Sequence, residues 1–162
     1  MQKTMLMAVL AAALCLTPAL AQGQPNGASQ FGPEAEKDTL HLNTIGAFSA
    51  GFVLQAYGYI GVLADVFSRD VYPPDLVRDM LGETITYMRN VNAQLLKYHS
   101  GPPIAQGDLE FIAAILEVIN HLIAEAEALS SFTMTKNDSD LRRYNDARDN
   151  AWKSIRKTFK VK

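Results

Sequence analysis

The sequence predicts an all-α protein: an antiparallel up-down four-helix bundle preceded by a signal peptide and a short disordered leader. Three observations predict it. Turn signals at Val71-Tyr72-Pro73-Pro74, Ser100-Gly101-Pro102-Pro103 and Thr135-Lys136-Asn137-Asp138-Ser139 divide the chain into four long segments. Beyond residue 35, none of the four contains a proline away from these breaks or sustains the period-two alternation of a half-buried strand. The connections are short, which makes consecutive helices antiparallel neighbours.

Residues 1–21 read as a signal peptide. Lys3 supplies a positive start, Met5 to Leu16 is an uncharged apolar run, Pro18 breaks it, and Ala19-Leu20-Ala21 is a small-x-small cleavage site. The apolar run is too short for a stable bilayer span. Cys15 is the sole cysteine and follows the bulky Leu14, where lipoprotein signals carry a small residue. Cleavage after Ala21 predicts an exported, cysteine-free chain, without disulfides, thiolate metal sites or thioether-linked haem. Residues 22–35, rich in Gln, Gly, Pro, Asn and Ser at their start, are expected to form a flexible leader. Residues 36–162 remain as one domain, large enough to hold itself together by its core.

The four helices are expected at about 36–69, 75–99, 108–132 and 138–160. The first is uncharged from Leu42 to Ala64, and its apolar residues point in several directions. A helix apolar all round belongs at the centre of a core or in a membrane. It also carries Gly46, Gly51, Gly58 and Gly61. Each glycine in a helix costs about 1 kcal/mol relative to alanine. Ala47, Gly51, Gly58 and Gly61 fall close together around the helix, a small-residue stripe that suits close approach of another backbone. The expectation is therefore that the other three helices surround this one, and that leucine at Gly51 or Gly58 overpacks the core by about 1–3 kcal/mol. A membrane span is the rival reading. Gln55, Tyr57 and Tyr59 near the middle and the absence of a basic flank count against it.

The second helix places Val77, Met80, Leu81, Ile85, Met88, Val91 and Leu95 on one stripe, entered through Pro73, Pro74 and Asp75. The third begins near Asp108 and presents Ile112, Ile115, Leu116, Ile119, Leu122, Ile123, Ala126 and Leu129, with Glu117, Asn120, Glu125 and Glu127 on the remainder. The fourth repeats Leu141, Tyr144, Ala147, Ala151, Ile155 and Phe159. Its acids come early (Asp138, Asp140, Asp146) and its bases late (Lys153, Arg156, Lys157, Lys160), complementing the helix dipole. Folding the chain at its breaks predicts three interhelix ion pairs: Asp65 with Arg78, Glu117 with Lys153, and Glu127 with Arg143. It also sets Gly51 level with Asn92.

No catalytic motif is present, and no catalytic residue, cofactor or metal ligand is assigned. The formal net charge of −2 gives no basic excess for phosphates, so nucleic acid is not an expected partner. The histidines are His41, His99 and His121. His41 and His99 share one predicted end of the bundle, where a zinc site would still lack a third ligand. Glu117 and His121, four apart, lack the repeated Glu-x-x-His of di-iron bundles. The architecture resembles that of exported four-helix cytochromes of the c-prime type, but their Cys-x-x-Cys-His is missing, and shared architecture carries no function. The expectation is an exported, non-catalytic protein with a binding or structural role and an unidentified partner, with a homo-oligomer left open. Its rivals are a bundle binding a small molecule, haem or metal, and a membrane-associated protein held by Leu42–Ala64.

Overall fold

In a computed structural model, the described residues are 33–101 and 105–161, with side chains from residue 43 onward. The signal peptide, Cys15, the cleavage site at Ala21 and most of the leader lie outside them. Four helices pack against one another: α1 (Pro33–Ser68), α2 (Pro74–His99), α3 (Gln106–Thr135) and α4 (Asp138–Phe159). Among the described residues there is no strand. α1 starts at Pro33, three residues before the expected boundary. α3 extends three residues beyond the expected Phe132, to Thr135.

The helix ends follow local chemistry. Pro74 occupies the first turn of α2, where no backbone N–H is needed. The Asn137 side chain accepts a 2.7 Å hydrogen bond from the Asp140 N–H, capping α4. Lys136 ends α3 in the left-handed conformation, φ 51°, and its N–H closes onto the Phe132 carbonyl at 2.8 Å. Asp70 is likewise left-handed, φ 53°, and the N–H of Val71 returns to the Val66 carbonyl at 2.9 Å.

The helix at the centre is α3, not α1. α3 packs extensively against both α4 and α2, whereas the backbones of α2 and α4 do not come close among the described residues, and α1 lies on the other three more thinly. Ile112, Ile115, Val118, Ile119, Leu122, Ala126 and Ala128 of α3 are all completely buried. Its solvent strip is narrow, running Glu117, Asn120, Ala124. Bulk explains the difference. α3 has no glycine inside its apolar stretch and offers large side chains over most of its circumference, so enclosing it removes more apolar area from water than enclosing α1. α1 contributes a single seam, Val53, Ala56, Ile60, Leu63 and Phe67, spaced three and four apart. α2 adds Val77, Leu81, Ile85 and Met88, and α4 adds Tyr144, Ala151 and Ile155.

Contacts fix the relative levels of the helices. Phe111 meets Phe159, Glu125 meets Arg148, and Thr135 meets Asp140 along α3 and α4. Asn92 meets Asn120 at 2.9 Å and Arg89 meets Glu127 at 2.7 Å along α2 and α3. Phe52 of α1 meets Tyr87 of α2, and Phe67 of α1 meets Phe132 of α3.

Candidate functional site

Three places on the four helices carry unusual chemistry. The first is the outer face of α1. The small-residue stripe, expected to face the sister helices, instead lies open: Ala47, Gly51 and Gly58 are exposed. Among the described residues, a Cβ added at Gly51 or Gly58 would meet nothing within 4 Å. These glycines do not create close approach inside the fold, and the expected overpacking by leucine does not follow. Around them lie Phe48, 76 % exposed, Leu54, and Val62, 57 % exposed. Only 22 % of the most apolar stretch within Asn43–Ser68 is buried, and among the described residues this is the one stretch long and apolar enough to cross a membrane. The helix is apolar all round because one face serves the core and the other is left open.

Gly46 and Gly61 behave differently. The Gly46 position abuts the Phe111 ring, 3.3 Å from where a Cβ would stand. Gly61 is the one stripe member with an interhelix role, because a Cβ there would stand 2.6 Å from Nη2 of Arg148. It leaves space for a guanidinium.

That guanidinium belongs to the second place, a half-buried polar cluster at the junction of α1, α3 and α4. Arg148 donates through Nη1 to Glu125 Oε1 at 2.5 Å and to the Tyr57 carbonyl at 3.3 Å. Its Cζ stands 4.0 Å from the centroid of the Tyr57 ring, which also stacks on Trp152 at 5.2 Å. Glu125 is 0 % exposed, and its Oε2 has no hydrogen-bond partner among the described residues. Burial pushes its carboxyl up to about 7, against the opposing pull of Arg148. Burial likewise raises the Tyr57 and Tyr144 hydroxyls, with Arg148 opposing. The cluster ties α1 to the α3–α4 pair through a single side chain.

Glu125, expected on the solvent side of α3, is buried instead. It lies on the buried line Val118, Leu122, Glu125, Leu129, at steps of four, three and four, and that spacing was the available signal. Its counter-ion and the role of Gly61 depend on contacts between residues 87 and 23 positions apart. No local pattern carries those.

The third place is a groove of about 420 Å³ between α1 and α2, whose lining includes Phe52, Gln55 and Tyr59 of α1 with Glu83, Tyr87 and Met88 of α2. Phe52 and Tyr87 meet edge to face, 5.5 Å between centroids and 74° between planes. A further depression at the end of α4 is lined by Lys153, Arg156, Lys157, Lys160 and Val161. Beside it, Lys153 and Lys157 share a shallow hollow with Glu117 and His121 of α3.

The three predicted ion pairs are replaced by others. Asp65 pairs with Arg69 at 2.9 Å, one turn along α1, and Arg78 pairs with Asp75 at 3.2 Å on its own helix. Both shorter-range pairs form without holding two helices in register. Glu127 pairs with Arg89 of α2 instead of Arg143, since the strip it occupies faces α2. Glu117 and Lys153 share the hollow described above, but Glu117 lies 3.8 Å from His121. Asn92 bonds to Asn120 and does not fill a gap at Gly51. The side chain of His41 lies outside the described residues. Among those described, no three His, Cys, Asp or Glu side chains gather as a metal site.

No protein-family model, no curated protein and no solved structure matches this chain.

Proposed function

We propose that the chain is an exported four-helix protein of antiparallel up-down topology, with a non-catalytic role exercised by association through the outer face of α1. The contact levels support the topology: residue numbers rise on one helix as they fall on the next along α1–α2, α2–α3 and α3–α4. The order of charge, apolar run, proline and Ala19-Leu20-Ala21 supports export.

One observation carries the functional reading. An uncharged helix face with Phe48, Leu54 and Val62 exposed, separated by open backbone at Gly51 and Gly58, is an apolar surface of the kind proteins keep for a partner. The glycines give no packing within the fold, and their helix penalty of about 1 kcal/mol each is then offset in a complex, where a second helix can approach the bare backbone. The test is site-specific photo-crosslinking from Val62 in the native host. The expected result is a discrete protein adduct that disappears in a Phe48→Ser, Gly58→Arg variant that melts no lower than the wild type. A crosslinking pattern unchanged by that variant refutes the reading.

A second reading is favoured by the same exposure: the face lies against lipid, as a membrane-associated protein held by this segment. Fractionation separates the two. Release without detergent supports the protein partner, and retention in the membrane pellet supports lipid.

A further inference from the structure

We propose that the groove between α1 and α2 is a binding site for a small organic cation, a quaternary ammonium or protonated amine carried on a short apolar body. Three aromatic side chains, Phe52, Tyr59 and Tyr87, line it, and the near-perpendicular Phe52 and Tyr87 rings form a corner. Its floor is apolar, with Met88 completely buried. Among the described residues, Glu83 is the one charged group in the lining, and none of them is a Lys, Arg or His that could neutralise it. Glu83, Gln55, Tyr59 and Tyr87 make no side-chain hydrogen bond or ion pair with any described residue, so their polar atoms are uncommitted.

These features select one ligand chemistry. Aromatic faces carry negative quadrupole charge and attract cations, most strongly where water is partly displaced. A lone carboxylate beside them adds long-range attraction for the same sign and rejects anions. The volume of about 420 Å³ admits a molecule of several heavy atoms, within the usual range of ligand sites. Glu83 is exposed, so a purely apolar ligand would gain nothing from it, while an acidic one would be repelled. The site is distinct from the outer stripe at Gly51 and Gly58, so it does not rest on the association proposed above.

The test titrates the folded protein with choline and, separately, with its uncharged isostere 3,3-dimethylbutan-1-ol, following tyrosine ring resonances by NMR. Choline should give saturable shifts at Tyr59 and Tyr87, with the neutral isostere about five- to tenfold weaker. Glu83→Gln and Tyr87→Ala should each weaken choline by a similar factor. Tyr87 is 60 % exposed, so its truncation leaves the fold intact, checked by an unchanged melting temperature. Equal binding of choline and the isostere would reduce the groove to an unselective apolar surface and overturn the proposal. So would shifts unaffected by Glu83→Gln, or no saturation by about 10 mM choline.

Discussion

Replacing Gly58 and Gly61 by alanine, three residues apart on α1, should move stability in opposite directions. Alanine is favoured over glycine in a helix interior by about 1 kcal/mol, chiefly through the backbone freedom of the unfolded chain. At Gly58 the new methyl meets nothing within 4 Å, so the gain is uncompensated. The expected result is a stabilisation of about 0.5–1 kcal/mol, or roughly 2–5 °C in melting temperature for a domain of this size. At Gly61 the methyl would stand 2.6 Å from Arg148 Nη2 and 3.1 Å from Cζ. Ordinary contact requires the guanidinium to retreat by about 1 Å. It is held by Glu125 at 2.5 Å and by the Tyr57 carbonyl at 3.3 Å, so the retreat strains the one partner of a fully buried carboxyl. A hydrogen bond to a charged group contributes about 1.5–3 kcal/mol. Set against the helix gain of about 1 kcal/mol, Gly61→Ala should destabilise by about 0.5–2 kcal/mol. Urea denaturation of both variants measures this. Repeating Gly61→Ala in an Arg148→Met background isolates the cause, because the space then opens and the substitution should turn stabilising. If Gly61→Ala stabilises the wild-type chain as Gly58→Ala does, the guanidinium is not what the glycine accommodates.

The Glu125 carboxyl keeps its proton up to about pH 7 when folded, against an ordinary value of 4.5. The folded state therefore binds more protons between those values, and stability should fall as pH rises through that window, by about 3 kcal/mol in total. Melting temperature against pH should show the slope, and Glu125→Gln should flatten it. Arg148→Met removes the group that lowers the carboxyl, so its inflection should move to higher pH. Truncating Leu122 of α3 to alanine should cost about 2–5 kcal/mol, while alanine at Val62, with more than half its surface in water, should change stability by less than about 0.5 kcal/mol. Equal losses at the two positions would contradict the placement of α3 at the centre. Asn137→Ala removes the cap on the Asp140 N–H and should lower stability by about 1 kcal/mol in the same denaturation assay.

The four helices and most of their inward residues are legible in the amino-acid order alone. Proline, glycine and Asn-Asp clusters act within a few residues, so the breaks at Pro73-Pro74, Gly101 and Asn137 were legible locally. The spacing of Val77, Leu81, Ile85 and Met88, or of Tyr144, Ala151 and Ile155, reflects a helical period that survives in any arrangement burying that face. Tertiary structure alone decided which helix sits in the middle. Two helices here are apolar over most of their surface, and hydropathy ranks them alike. Enclosure depends on the volume their side chains fill, and the glycines of α1 lost that competition to the isoleucines and leucines of α3. It decided the ion pairs as well: a charged side chain takes the nearest opposite charge, and for Asp65 and Arg78 that charge lay one turn away on the same helix. The Glu125–Arg148–Tyr57 cluster and the aromatic groove join residues from different helices. Their distances are set by how the helices lie on one another, a quantity that no single segment's pattern contains.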